Sequence, residues 1–131
     1  MQKLKLDHVA FPVRDLDASV AFYTQQLGLK LMFQQVDEAH GEAFAFLELE
    51  GGNLELLQSL KPPETNQPPA VNELFCPHVA IQVDDISAWC VALNDKGIVI
   101  AKGPLEIPGK VKWLYFADPD NNIIELVEWF G

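Results

Sequence analysis

The first residues of the chain alternate between two sets of side chains. Leu4, Leu6, His8 and Ala10 share one parity, and the residues between them share the other. A period of two predicts a β-strand, here over residues 4–13. It also predicts that His8 lies on a largely apolar face. A single histidine on such a face is more often a hydrogen-bonded core residue than a ligand.

After this strand, the spacing of the apolar residues changes to that of a helix. Asp15 offers an N-cap, and Gly28 offers the residue at which a helix ends. The apolar residues between them recur at helical spacing, at Leu16, Val20, Tyr23 and Leu27. The sequence therefore predicts one amphipathic helix directly after the first strand.

Three more strands are predicted before the middle of the chain, over residues 30–36, 43–50 and 54–58. Gly51-Gly52-Asn53 predicts a hairpin between the last two. The polar segment that contains His40 is predicted to be an exposed turn. The first module is therefore βαβββ, with His8 in its first strand and Glu55 in its last.

The second half of the chain repeats this order at an offset of 70 residues. His8-Val-Ala-Phe-Pro-Val-Arg-Asp matches His78-Val-Ala-Ile-Gln-Val-Asp-Asp, and Glu55-Leu matches Glu125-Leu (78 − 8 and 125 − 55 are both 70). Two copies of one supersecondary unit indicate a pseudo-symmetric pair, because one such unit cannot bury its apolar face alone. The two histidines and the two glutamates thus occupy equivalent positions.

The second module contains a helix and four predicted strands. The strands cover residues 78–84, 98–101, 111–117 and 123–128. The helix begins after Asp85, and it ends at Gly97, which is one residue earlier than the repeat requires. Residues 102–110 contain glycine and proline and are predicted to be a loop. Glu128, which has no glutamate as its repeat partner, is predicted to face solvent.

The fold class predicted from this order is α+β, with two βαβββ modules in tandem that form a curved mixed sheet. Residues 59–75 contain four prolines and predict an extended linker. The predicted domain is the whole of residues 1–131, built from modules 1–58 and 76–131. In this hypothesis the modules pair edge to edge around one site.

The composition narrows the possible partners. The chain has 131 residues, 19 acidic and 9 basic, with a formal net charge of −10. Nucleic acids and anionic membranes are not expected partners, because phosphate binding requires clustered Lys and Arg. No apolar run is long enough to cross a bilayer, and no secretory signal is visible. Two cysteines form no disulfide framework, and we expect a cytoplasmic protein.

The four repeated residues suggest a metal site. Imidazole nitrogens and carboxylate oxygens are ligands of divalent first-row metals. A buried carboxylate without a partner is costly, whereas one bound to a metal is satisfied. We therefore predict that His8, Glu55, His78 and Glu125 bind a divalent ion. Ni, Co, Zn, Mn, Mg and Fe all accept this ligand set.

Four motifs of the chain resemble those of the vicinal oxygen chelate superfamily, which includes glyoxalase I, bleomycin resistance proteins and ring-cleaving dioxygenases. They are Asp7-His-Val-Ala-Phe-Pro-Val-Arg-Asp-Leu, Phe22-Tyr-Thr-Gln-Gln-Leu-Gly-Leu, Pro77-His-Val-Ala-Ile-Gln-Val-Asp-Asp and Phe116-Ala-Asp-Pro-Asp-Asn-Asn-Ile-Ile-Glu-Leu. In that family the metal ligands come from the first and last strands of each module. The glutamate at position 55 resembles the residue that glyoxalase I has at this position. The dioxygenases lack a carboxylate there, and the epimerases of the same superfamily carry glutamine. Pro12 and Ser59 replace residues that would contact glutathione in that family. The resemblance therefore does not identify which thiol, if any, forms part of the substrate.

The resemblance implies a glyoxalase I-like, metal-dependent lyase or isomerase that acts by proton transfer on a small substrate with vicinal oxygens. Glu125, or Glu55 at the matching position, would serve as the general base. The family also implies a homodimer, with the metal bound either within one chain or between two. The alternatives are a metal-free, antibiotic-binding protein of the bleomycin-resistance type and a dioxygenase-like member of the family.

Overall fold

The chain divides into two structural units, Met1–Pro68 and Pro69–Gly131, in a computed structural model. The structure describes Leu4, residues 6–61, Pro68, Ala70 and residues 77–130. Each predicted module falls within one unit. Most of the predicted linker, residues 59–75, lies outside the described residues.

The first unit is a four-stranded mixed sheet with one helix, as predicted. Its elements are β1 His8–Pro12, α1 Leu16–Ala21, β2 Lys30–Asp37, β3 Glu42–Glu48 and β4 Asn53–Ser59. The strand order is β1-β4-β3-β2, in which β1 is parallel to β4 and the other neighbours are antiparallel. The first and last strands of the module are therefore hydrogen-bonded neighbours at one side of the sheet.

The second unit repeats this topology. Its elements are β5 Val79–Gln82, α2 Ile86–Asp95, β6 Ile100–Ile107, β7 Val111–Ala117 and β8 Ile123–Trp129. The order is β5-β8-β7-β6, again with one parallel pair, β5 and β8. The predicted α+β class and the tandem βαβββ modules are confirmed.

The helix of each unit covers one face of its sheet, and the glutamates lie on the other. In β4, Leu54 and Leu56 are fully buried on the helix side, and Glu55 alternates with them. Leu126 in β8 is likewise buried on the helix side, next to Glu125. The period of two thus directs each glutamate away from the helix-covered core.

Both helices begin in the same way. Asp15 and Asp85 accept hydrogen bonds from the backbone N–H three residues later, which confirms the predicted N-caps. In each unit, a side chain from the last strand also accepts a hydrogen bond from the first N–H of the helix. Gln58 Oε1 lies 2.7 Å from Leu16 N, and Glu128 Oε1 lies 2.8 Å from Ile86 N.

The prediction that Glu128 faces solvent was wrong. Its side chain points towards the helix and is half-buried, because it shares the parity of the buried Leu126. Its repeat partner is Gln58, at the offset of 70 residues. A carboxylate and a carboxamide both supply the required acceptor oxygen, although the two residue types differ.

A π-helical turn explains why the helix of the first unit is one residue longer. α1 continues into a π-helical segment, Phe22–Gln26, before the left-handed Gly28. Leu29 N donates to Tyr23 O over six residues, whereas the matching bond in the second unit, Ile98 N to Leu93 O, spans five. A π-turn is the usual result of one residue inserted into an α-helix.

The predicted loop over residues 102–110 was wrong in part. β6 continues to Ile107, with register shifts between Ile100 and Lys102 and between Lys102 and Leu105. β6 lies at the edge of its sheet, where glycine and proline are tolerated at irregularities. Among the described residues, no helix is long and apolar enough to cross a membrane.

Candidate functional site

His8 and Glu55 form a pair on the face of the first sheet opposite the helix. Ala10 is the Cα partner of Glu55 in the parallel ladder, so His8 lies two residues away along β1 on the same face. His8 Nε2 is 3.5 Å from Glu55 Oε1. We call these two residues the first pair.

The imidazole of His8 is also held at its other nitrogen. Nδ1 lies 2.7 Å from Oδ2 of Asp7. In the tautomer that carries its proton on Nδ1, the ring donates to this carboxylate, and Nε2, which faces Glu55, keeps its lone pair. Metal-binding histidines are commonly oriented by a carboxylate in this way.

His78 and Glu125 form the second pair, with the same relation to their strands. Ala80 is the Cα partner of Glu125, and His78 precedes it by two residues. His78 Nε2 lies 2.9 Å from Glu125 Oε1, which is a hydrogen bond. The side chains of Glu55 and Glu125 are only 15% and 17% exposed, so each carboxylate needs a partner to offset its lost hydration.

An aromatic ring lies beside each histidine. The Phe46 ring meets His8 edge-on at 5.1 Å, and the Tyr115 ring meets His78 edge-on at 5.5 Å. Phe46 is the Cα partner of Glu55, and Tyr115 is the Cα partner of Glu125. These two rings therefore occupy the same structural position in the two units.

Tyr115 also interacts electrostatically with the second pair. Burial raises the pKa of the Tyr115 hydroxyl above its ordinary value, and the negative charge of Glu125 adds to this rise. The hydroxyl therefore stays protonated at neutral pH.

Phe33, Phe44 and Phe46 form an aromatic cluster next to the first pair. The rings of Phe33 and Phe46 stack at 5.2 Å, and Phe44 meets both edge-on. Phe33 is 44% exposed. The cluster thus places an apolar surface beside an imidazole and a carboxylate.

The structure brings each predicted histidine to the glutamate of its own module. Among the described residues, no three or more His, Cys, Asp or Glu side chains form a group that could hold a metal ion. A ligand set of all four residues remains a prediction. His40 is exposed and bonds to Asp37, as its predicted turn position required.

The sequence analysis missed Phe46, Tyr115 and Asp7. Phe46 and Tyr115 differ in type and stand 69 residues apart, because the hairpin turns of the two modules differ by one residue (115 − 46 is 69). Phe46 and Tyr115 could have been found by identifying the residue that pairs with each glutamate on the neighbouring strand. Asp7 immediately precedes His8 and could have been recognised as a residue that orients it.

Comparison with known proteins supports a single family. The model of the Glyoxalase/Bleomycin resistance protein/Dioxygenase superfamily matches residues 5–126. Lactoylglutathione lyase from Schizosaccharomyces pombe is 34% identical over 97% of the chain. The chain spans about half the length of that relative, 48%. A probable lactoylglutathione lyase from Vibrio cholerae is 30% identical, over 98% of the chain and 93% of its own length.

Other relatives and solved structures are also similar to this chain. A metallothiol transferase from Staphylococcus epidermidis is 31% identical, over 96% of the chain and 82% of its own length. A glyoxalase family protein from Bacillus cereus has a similar structure, with a TM-score of 0.78 at 22% identity, over 100% of the chain and 97% of its own. An antibiotic binding protein from Streptomyces has a TM-score of 0.73 at 23% identity, over 98% of each chain.

Proposed function

Because the chain belongs to the Glyoxalase/Bleomycin resistance protein/Dioxygenase superfamily, we propose that it is a metal-dependent lyase or isomerase. The proposed reaction moves a proton within a small substrate that carries two adjacent oxygens. α-Hydroxycarbonyl compounds and thiohemiacetals have this chemistry. Relatives named lactoylglutathione lyase support the lyase class.

The observation that carries the proposal is the occurrence of the same His–Glu contact in both units. His8 with Glu55 and His78 with Glu125 stand at equivalent ladder positions, with both carboxylates mostly buried. One such pair could be a structural hydrogen bond. Two copies at matched positions favour a shared chemical task, because neither pair is needed to hold its helix against the sheet.

Two imidazoles and two carboxylates form a donor set that fits a divalent metal ion. In the tautomer with its proton on Nδ1, His8 donates to Asp7 and keeps a lone pair on Nε2. His78 Nε2, which hydrogen bonds to Glu125, would give up its proton to bind the metal. We propose His8, Glu55, His78 and Glu125 as the ligands, supplied by one chain or by two copies of it. A bound divalent ion would act as a Lewis acid and make the substrate C–H more acidic.

The carboxylates would move the proton. One of Glu55 and Glu125 would accept the proton from the carbon that bears the hydroxyl and return it to the neighbouring carbonyl carbon. The hydroxyl proton would pass from the first oxygen to the second, so that the substrate is isomerised without an oxidant or a reductant. A positioned general base contributes a rate factor on the order of 10²–10⁴. The aromatic cluster of Phe33, Phe44 and Phe46 would pack against an apolar part of the substrate.

The test is proton exchange with solvent. Thiohemiacetals of a 2-oxoaldehyde with several thiols, and α-hydroxyketones, are incubated in D₂O with metal-loaded protein, and NMR measures deuterium at carbon. The change Glu→Gln at the residue that acts as base should lower turnover by about 10²–10⁴ while most metal affinity is kept. Absence of exchange in every candidate substrate with metal-loaded protein would contradict the proposal.

A second candidate is a metal-free small-molecule binding protein. The partly exposed aromatic cluster beside His8 favours it, since such a surface binds apolar ligands. Substitution of Glu125 by Gln and of His78 by Ala distinguishes the two. Ligand affinity that is unchanged in both variants, without proton exchange, would support the binding protein.

We also propose that the protein is a homodimer. Two modules that each supply one pair can complete a ligand set within a chain or by combining two chains. Light scattering at micromolar concentration should give about twice the mass of 14.6 kDa. A stable monomer would refute the dimer.

A further inference from the structure

Phe33 is the exposed member of the aromatic cluster. It is 44% exposed, whereas Phe44 and Phe46 are half-buried. Its ring stacks on that of Phe46, with 5.2 Å between the centroids and an angle of 8° between the planes. Phe46 in turn meets His8 edge-on at 5.1 Å. The exposed ring therefore continues an aromatic surface that begins at the first pair.

A β-bulge directs the Phe33 ring onto this face of the sheet. The register of β2 against β3 shifts between Leu31 and Phe33, so Met32 is the extra residue. Leu31 pairs with the buried Leu47 on the helix side, whereas Phe33 pairs with Phe46 on the opposite face. Without the extra residue, Leu31 and Phe33 would share one face, because side chains alternate along a strand. Bulges commonly re-aim a side chain next to a functional site.

The fold does not require an aromatic ring at this place. The equivalent position in the second unit is Lys102, which is the Cα partner of Tyr115 as Phe33 is of Phe46. β6 has the same register shift immediately before Lys102, and Lys102 is exposed. The same bulge and the same ladder thus form around a solvated cation. The ring of Phe33 therefore has a task other than holding the sheet together.

The distance between Phe33 and Glu55 suits one substituent of a small substrate. Phe33, Phe46 and Glu55 stand in one row across β2, β3 and β4. Two strand spacings place the Cα atoms of Phe33 and Glu55 about 9–10 Å apart. A ring attached directly to the reacting carbons can lie over Phe33 while those carbons lie beside the first pair. Flat aryl groups stack on an aromatic ring, whereas a methyl group would leave it exposed.

We propose that Phe33 determines the specificity of the site, by stacking on an aryl group that the substrate carries next to its two adjacent oxygens. The inference rests on the proposed function, because it names the substituent of that substrate. 2-Hydroxyacetophenone has a phenyl group beside its carbonyl and meets both requirements. Hydroxyacetone has the same two oxygens with a methyl group instead, so it is the matched compound.

The test compares these two ketones in D₂O with metal-loaded protein, and NMR follows deuterium at the carbon that bears the hydroxyl. Phe33→Leu keeps an apolar side chain without a flat ring, and Phe33→Lys introduces the residue type that the second unit accommodates. Val36→Ala is the control, because Val36 also lies on β2 and is 59% exposed but pairs with the buried Ala43 on the helix side. Thermal unfolding verifies that each variant is folded.

The measured quantity is the ratio of kcat/KM for 2-hydroxyacetophenone to kcat/KM for hydroxyacetone. Phe33→Leu should lower this ratio by about 2–10-fold, which is the contribution of one aromatic pair. The change should arise mainly from KM for the phenyl ketone, because stacking holds substrate and transition state alike. Phe33→Lys should lower the ratio as well, and Val36→Ala should keep the wild-type ratio.

Binding of 2-hydroxyacetophenone is measured separately by saturation-transfer NMR, which requires no turnover. If the wild-type protein exchanges the ketones and the ratio is the same in both Phe33 variants, or falls equally in Val36→Ala, the inference is overturned and the proposed function is unaffected. If the wild-type protein exchanges neither ketone but contacts the phenyl protons, and Phe33→Leu weakens this contact, the aryl site is supported and the proposed function fails for these ketones. Neither exchange nor a phenyl contact would overturn the inference together with that function.

Discussion

The side chain of Glu128 should contribute measurably to stability through the start of helix α2. Its Oε1 accepts the N–H of Ile86 at 2.8 Å, and Ile86 is fully buried. Glu128→Ala removes this acceptor. A donor left without a partner in a partly buried position costs about 1–3 kcal/mol, and loss of a negative charge at a helix N-terminus costs about 0.3–1 kcal/mol more.

Glu128→Ala should therefore lower the free energy of unfolding by about 2 kcal/mol. Glu128→Gln keeps an acceptor oxygen and should lose only the charge contribution, about 0.3–1 kcal/mol. The matched control is Gln58→Ala, which removes the neutral acceptor of Leu16 N at 2.7 Å. It should cost about 1–2 kcal/mol, because no charge is involved.

Urea unfolding followed by far-ultraviolet circular dichroism measures all three variants. The expected order of destabilisation is Glu128→Ala, then Gln58→Ala, then Glu128→Gln. Raised salt should reduce the effect of Glu128→Gln, since it arises from charge. If Glu128→Ala unfolds within about 0.3 kcal/mol of the wild type, then Glu128 does not hold the helix in solution and the assignment is wrong.

Two further changes test other parts of the structure. Gly103→Ala should destabilise the protein by about 1–3 kcal/mol in the same urea assay, because Gly103 has φ +106° and an added Cβ would lie 3.0 Å from Leu114 Cα. Gly109→Ala is its control, because Gly109 has φ +74° and open space around an added Cβ. An equal loss of stability in both variants would show that the close approach to Leu114 has no effect. Asp7→Ala should weaken Co²⁺ binding by about 10-fold or more, because the carboxylate orients His8; unchanged affinity by calorimetry would refute this role of Asp7.

The repeat made the order of strands and helices in both units predictable, together with the four equivalent His and Glu positions. Which glutamate each histidine contacts was not predicted, because a single sequence does not show that β1 pairs with β4 and β5 with β8. β1 and β4 are parallel neighbours, and the ladder then sets His8 two residues from the partner of Glu55. Local periodicity alone would have left His8 as a core residue.

The residues that the sequence analysis missed share a physical reason. Gln58 and Glu128 act alike as acceptors although they differ in type, and a search for identical residues does not find such a match. Phe46 and Tyr115 are equivalent only through strand pairing, which a hairpin turn of different length shifts by one residue. Equivalence in a repeat is thus a property of the hydrogen-bonded ladder rather than of the numbering.

The edge strand β6 illustrates a further limit of structure prediction from a single sequence. Glycine and proline in residues 102–110 predict a loop when each residue is considered alone. Pairing with β7 nevertheless extends the strand to Ile107, with irregularities that accommodate Gly103 and Pro104. Tertiary pairing at a sheet edge overrides local preference, and a single sequence does not show which strand will supply the partner.

Metal analysis tests the central claim most directly. The wild-type protein and the variants Glu55→Ala and Glu125→Ala are dialysed against equal concentrations of Ni, Co, Zn, Mn, Mg and Fe(II), freed of unbound metal and measured by mass spectrometry of the elements. The account predicts about one divalent ion per chain in the wild type and a loss of most of it in both variants. No bound metal in the wild type, or the same metal content in all three proteins, would contradict it.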